Sequence, residues 1–177
     1  MPVYKLDNIT PKIDPSAYIA ENATIIGNVS IEKNSSVWFN CVLRGDSDKI
    51  SIGQKTNIQD LTICHCDPGA PLIIGNRVTV GHRSIIHGCF IEDYCLIGMG
   101  AIVMNHAKIG RGSIIAAGAV ILENTEIPPY SLVVGTPGKV KKTFDKDVID
   151  RNNKIALSYY EKSKNYLKSN TLIRIDK

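Results

Sequence analysis

Residues 91–127 read IEDYCLIGMGAIVMNHAKIGRGSIIAAGAVILENTEI, and an aliphatic side chain returns at every sixth position. The series is Ile91, Ile97, Val103, Ile109, Ile115, Ile121 and Ile127, and Val133 continues it. Neither a helix nor a simple alternating strand has a period of six. The same spacing runs upstream in three further registers: Ile19, Ile25, Ile31, Val37, Leu43; then Ile52, Ile58, Cys64; then Ile74, Val80, Ile86. Four residues after each aliphatic comes a small or β-branched residue, such as Ala23, Ser35, Cys41, Thr56, Thr62, Ser84, Cys95, Ala101 and Ser113. Phe90 is the exception, beside a one-residue shift of register. A sustained period of six fits a parallel β-helix, in which short strands meet at tight corners. One residue per hexad points into a narrow prism, and three hexads close one triangular coil.

The remaining composition sets bounds. The chain has 177 residues, enough for one domain with a substantial core. Residues 1–138 read as the β-helix domain and residues 139–177 as a C-terminal helix and tail packing on it. The net charge of +4 divides unevenly: residues 1–138 hold 10 basic and 12 acidic side chains, and residues 139–177 hold 11 and 5. The excess therefore belongs to a solvated helix face, and no basic face with interleaved aromatics points to nucleic acid. The helix is expected over residues 145–168, capped by Asp145, with Val148, Ile155, Tyr159 and Tyr166 beside Ile149, Ala156, Tyr160 and Leu167 as its apolar stripe. Residues 169–177 read as a loose tail. The five cysteines are an odd count, the N-terminus has no apolar leader, and no run reaches the ~20 apolar residues of a membrane span. These features predict reduced thiols, a cytoplasmic location and no membrane partner. Cys64 falls in an inward slot and Cys41 and Cys95 in corner slots, so they read as core.

The register also says where the four histidines point. His65 and His87 each follow an inward residue, Cys64 and Ile86. From Cys64 to Ile74 is ten residues rather than six, so four residues within DPGAP bulge out as a corner loop. With these removed, His65 and His87 lie one coil apart and stack, facing outward. His82 lies two positions after Val80, near another corner, and could meet the pair only from a neighbouring subunit. A closed ring of three chains does this symmetrically. The expectation is a homotrimer with three interfacial metal sites, each using His65 and His87 of one chain and His82 of the next. Three imidazoles with an open position suit Zn2+, and Fe2+ or Co2+ would accept the same donors. His106 has no histidine in register and reads as a surface residue.

Together with LRGDSD at 43–48 and TNIQDLTICH at 56–65, the stretches VGHRSIIHGC, IGMGAIV and IPPYSLVVGTPGKV resemble the gamma-class carbonic anhydrases. The likeness covers roughly residues 12–167. It implies the left-handed parallel β-helix of the hexapeptide-repeat superfamily with a C-terminal α-helix. It implies His65, His82 and His87 as metal ligands, and Arg44 and Asp46 as an ion pair near the site that helps join subunits. Gln59 matches a glutamine that contacts metal-bound hydroxide, Asp60 its acidic neighbour, and Tyr159 a tail-helix tyrosine. The implied activity is a zinc lyase, the reversible hydration of carbon dioxide by metal-bound hydroxide, with carbon dioxide and bicarbonate as the small-molecule pair. The chain departs from the pattern after Asp46, where Ser47 follows and no glutamate-bearing acidic loop exists. Asp67 is the sole acid in the bulge after His65, and proton export would fall to it or to buffer.

Two other functions compete. One is a hexapeptide-repeat acyltransferase or thioesterase acting on a coenzyme A ester, the transferase typically using a histidine general base. The other is a non-catalytic metal-binding trimer.

Overall fold

The computed structural model describes residues 2–168 and Ile175; the tail expected over residues 169–177 lies, apart from Ile175, outside the described residues. The chain is a left-handed parallel β-solenoid closed by one C-terminal helix, Val148–Leu167. Short strands, most of two or three residues, stack into three faces. Along each face the coil strands pair in parallel with the strand one coil away, as Ile97 with Ile115 and Val103 with Ile121, and the final strand Lys139–Thr143 turns back antiparallel on Ser131–Val134.

The hexad explains itself in these coils. The recurring aliphatics fill the prism: Ile25, Leu43, Ile52, Ile58, Ile74, Ile86, Ile97, Ile109 and Ile115 are fully buried. Parallel strands buried on the inner face favour such β-branched side chains. The small residue four positions on sits at the corner, and several that carry a hydroxyl donate it to a carbonyl of the next coil. Ser35 Oγ reaches Gly53 O at 2.7 Å, Thr56 Oγ1 reaches Gly75 O at 2.7 Å, and Ser113 Oγ reaches Pro128 O at 2.9 Å. Cys95 Sγ makes the equivalent contact to Gly110 O at 3.2 Å. A buried corner carbonyl needs a donor, and these side chains supply it. The corner turns left-handed three residues after the aliphatic, at Asn34, Lys55, Arg77, Tyr94, His106 and Asn124 among others.

Two interruptions lie close together. Asn28 is the one residue that faces residues 46–49, so those four project from the long strand Val42–Ile52. The second is the turn bridged by Asp67 and Ala70, which holds the expected bulge. The projections brace each other: Gly69 N donates to Asp48 Oδ2 at 3.1 Å, and Cys66 Sγ to Asp48 O at 3.2 Å.

The helix begins at Val148, three residues later than expected, and Asp145 does not cap it with its side chain. Asp147 occupies the cap position without a side-chain hydrogen bond, and the Asp145 carbonyl instead accepts from Val148 N at 3.2 Å. Its buried stripe is Val148, Asn152, Ala156 and Ser163, with Tyr159 and Tyr166 partly buried against the prism. Leu167, expected in the stripe, is exposed. Asn152 earns its burial by donating to Tyr94 O at 2.9 Å and Gly112 O at 3.1 Å. Tyr18, Trp38, Phe39, Tyr159 and Tyr166 form a cluster of tilted and edge-on aromatic rings where the helix crosses the first coils. Among the described residues no helix is long and apolar enough to cross a membrane.

Candidate metal centre

His65 and His87 end the strands Ile63–His65 and Ile85–His87, which pair in register, so the two residues face each other across one rung. Their inward neighbours Cys64 and Ile86 are fully buried, which turns both imidazoles outward. His65 Nδ1 and His87 Nε2 lie 2.9 Å apart. Both outer nitrogens are taken. His65 Nε2 donates to Asp46 Oδ1 at 2.9 Å, and His87 Nδ1 donates to Asn105 Oδ1 at 2.7 Å.

These partners decide the tautomers. With protons on the outer nitrogens, the two inner nitrogens present lone pairs to each other. Lone pairs at that distance repel, and a cation between them removes the repulsion. An ion bound at ~2.0–2.1 Å from each imidazole needs the two nitrogens to part by only a few tenths of an ångström, to the ~3.3 Å of a tetrahedral pair. The carboxylate and amide behind the rings are the supports that metal-binding histidines use to fix their orientation. His65, Asp67 and His87 thus form a cluster able to hold a metal ion.

Arg44 pairs with His65 one rung below and donates to Asp46. Burial works to raise the Asp46 carboxyl, but the hydrogen bonds from His65 and Arg44 outweigh it and hold the group below the usual carboxylate range. The Arg44 guanidinium is 44% exposed and keeps donors free for an anion.

The other sequence-predicted residues gather elsewhere. Asp60 and His82 are each the second residue after an inward aliphatic, Ile58 and Val80, in successive coils. They meet at a corner, where His82 Nδ1 contacts Asp60 Oδ2 at 2.9 Å. Tyr159 reaches from the helix to within 3.5 Å of His82 Nε2. Burial first, then the Asp60 charge, pushes the Tyr159 phenol above its ordinary pKa. Gln59 is buried beside Asp60, its amide donating to Asn57 Oδ1 at 3.1 Å. Within one chain the structure therefore brings together Arg44, Asp46, His65 and His87, and separately Asp60, His82 and Tyr159. Asn105 escaped the sequence reading because no motif marks it. Its signal was the five-residue step from Ile86 to Ile91, which leaves Gly88 where a bulkier corner residue would stand.

A family model described as bacterial transferase hexapeptide (six repeats) matches residues 88–123. A probable carbonic anhydrase of Methanocaldococcus jannaschii is 48% identical over 151 residues, covering 85% of this chain and 95% of that protein. The chain belongs to the gamma carbonic anhydrase-like family of hexapeptide-repeat proteins. It spans about half the length, 53%, of two mitochondrial family members from Arabidopsis thaliana.

The solved structures correct the expected activity label. A Bacillus cereus protein assigned as an acetyltransferase superposes with a TM-score of 0.90 at 40% identity, covering 93% of this chain and 95% of that one. A hexapeptide transferase family protein from Anaplasma phagocytophilum gives 0.87 at 40%, covering 91% and 95%. Near-whole-chain neighbours thus carry transferase descriptions, and the expectation that this gamma carbonic anhydrase-like chain is by class a carbonic anhydrase and lyase does not stand. The physical reason is that the hexad accounts for the scaffold, and a scaffold does not specify a reaction.

Proposed function

We propose that this chain is a metal-dependent enzyme acting on a small acyl compound, a coenzyme A ester, at the acyl carbon. The observation that carries the metal is the pair of inner nitrogens, His65 Nδ1 and His87 Nε2, set 2.9 Å apart with both outer nitrogens engaged. Zinc suits this donor set best, and ferrous iron or cobalt fits it also. A cation held there lowers the pKa of water toward ~7 and polarises a carbonyl.

The chain's own residues supply the rest. Asp46 fixes the His65 ring, and Arg44 offers free donors to a carboxylate or phosphate. Beside His87 opens a groove of about 300 Å³ lined by Ile85, Ile102 and Met104 with Asp67, Asn105 and Glu123. Its aliphatic wall suits a short acyl chain, and its size exceeds what carbon dioxide requires.

The site is completed by a second copy. Ile63, Ile85 and Ile102 form an outward ladder in register beside the histidines, and Ile63 and Ile85 are exposed. Covering the Ile63 end of this ladder in a homotrimer would remove apolar surface from water and leave the Ile85 and Ile102 end open as the groove. The same packing would bring His82 of the neighbouring subunit, backed by Asp60 and accompanied by Gln59 and Tyr159, to the His65/His87 pair. Five free, buried thiols support a reducing, cytoplasmic compartment.

A second reading, hydration of carbon dioxide, is favoured by the 48% identity to the Methanocaldococcus protein. The test is acetyl-coenzyme A hydrolysis and stopped-flow carbon dioxide hydration on protein of measured metal content and mass. Thioester turnover that disappears in His65→Ala is the expected result. Carbon dioxide hydration without thioester turnover would replace the first reading with the second. Bound metal with neither activity would leave a metal-binding module.

A further inference from the structure

We propose that Asn105 is a positioning residue for His87 and that Asp67 fixes which way Asn105 faces; the proposal rests on the metal-centre reading above. Asn105 stands at the corner after the strand Ile102–Val103, one coil beyond His87. Its two ends do different work. Nδ2 donates to Asp67 Oδ2 at 2.8 Å, and Oδ1 accepts from His87 Nδ1 at 2.7 Å.

A primary amide can present either end to an imidazole, and the choice inverts the ring's tautomer. A carboxylate can only accept. Asp67 therefore draws the NH2 of Asn105 toward itself and leaves the carbonyl oxygen for His87. With that acceptor in place the His87 proton sits on Nδ1, and Nε2 is free to face His65 Nδ1. On the other side of the pair Asp46 does the same to His65 directly. The two histidines are thus prepared by unequal devices, one a carboxylate and the other a carboxylate acting through an amide.

The local backbone is shaped for this amide. A Cβ on Gly88 would run into Asn105 Oδ1 and crowd the Ala70 carbonyl, and Gly88 adopts φ +50. Only glycine leaves that space open, so the residue after His87 makes room for the acceptor of His87. The Asp67 end is equally prepared, because Asp67 belongs to the bulge that Asp48 braces through Gly69.

The experiment uses two readouts: ¹⁵N NMR of the histidine rings in metal-free protein, and cobalt affinity by titration of its visible absorption. In the parent protein His87 is expected as the Nδ1–H tautomer. Asn105→Ala is expected to move it toward Nε2–H and to weaken cobalt binding ~10–100-fold, the usual range for loss of such a support. The exchanged pair Asp67→Asn with Asn105→Asp keeps an acceptor at His87 and a donor behind it. It is expected to restore the Nδ1–H tautomer, which is the readout this variant supplies, since Asp67 also belongs to the metal cluster. An unchanged tautomer with affinity within twofold in Asn105→Ala overturns the proposal, as does failure of the exchange to restore the tautomer. If Asn105→Ala does not fold, the exchange alone decides. If the parent binds no cobalt, the metal-centre reading falls, and the tautomers still judge the positioning role.

Discussion

Residues 91–134 and residues 43–90 are made from the same hexad and do different things. The first stretch runs without a break, and its inward residues Ile97, Val103, Ile109, Ile115 and Ile121 are fully buried in one column. The second loses register repeatedly, at residues 46–49, at the Asp67–Ala70 turn and again between Ile86 and Ile91. Arg44, Asp46, Asp60, His65, His82 and His87 all lie in that interrupted stretch, and Asp46 and Asp67 sit on its two projections. A regular coil offers each outward side chain only its neighbours one rung away. A slip of register puts a carboxylate where the repeat would have placed a strand, and that is how Asp46 and Asp67 come to stand behind His65 and His87, whereas Asp60 meets His82 through the regular pairing of adjacent coils. The comparison teaches that repetition builds the support and interruption builds the chemistry.

The sharpest attempt to break this division is His82→Ala. Metal content measured by mass spectrometry should fall from ~1 per chain to background with the circular dichroism spectrum unchanged, as expected for loss of one of three donors. Normal metal content in that variant would remove the inter-subunit site and leave the His65, Asp67 and His87 cluster as the whole centre. The converse substitution is Ile115→Ala in the regular column. It should cost ~2–5 kcal/mol in denaturant midpoint analysis, the range for emptying a packed core position. Metal bound per folded chain should not change, and a drop in it would show that the two regions are coupled.

The smallest effect concerns pH. Burial pushes the thiols of Cys41 and Cys95 up to about 12. Unfolded cysteine ionises near its ordinary value of ~8.5. Between those values the folded state holds more protons than the unfolded one, so stability should fall as pH rises from about 9. Below that range the thiols contribute no pH dependence. Thermal midpoints at pH 7 and pH 10 check the sign, and native protein at pH 8 should resist alkylation that proceeds in denaturant. Rapid labelling of the native chain would show that the column opens readily.

Much of this was legible in the residue order. The six-residue period names the inward side chains, and counting past the four extra residues places His65 opposite His87, where the ladder pairs them. The left-handed winding came through the family resemblance and not through the period. The helix start was misjudged because Asp145 and Asp147 are both plausible caps, and neither uses its side chain. Asn152 and Ser163 are absent from the expected apolar stripe, yet both are buried. Asn152 faces two corner carbonyls that only the folded coils bring together, and Ser163 Oγ donates to Tyr160 O at 2.8 Å. Asn105 was hidden for the same reason: its partners lie 18 and 38 positions away in the chain.

The even spacing of the rungs has a consequence for how the chain comes into being. Ile97 meets Ile115 and Ile86 meets Val103, so strand partners emerge from the ribosome within a single coil of each other. A parallel sheet ordinarily waits for distant segments, which makes it slow. This one can be wound turn by turn while synthesis continues, each finished coil serving as template for the next. The C-terminal helix follows the coils in the chain and reaches back to the first of them, with Tyr166 against Tyr18 at 5.5 Å and Asn153 holding Arg77 at 3.1 Å. It acts as a latch that closes on the earliest coils only after the translated spool is complete.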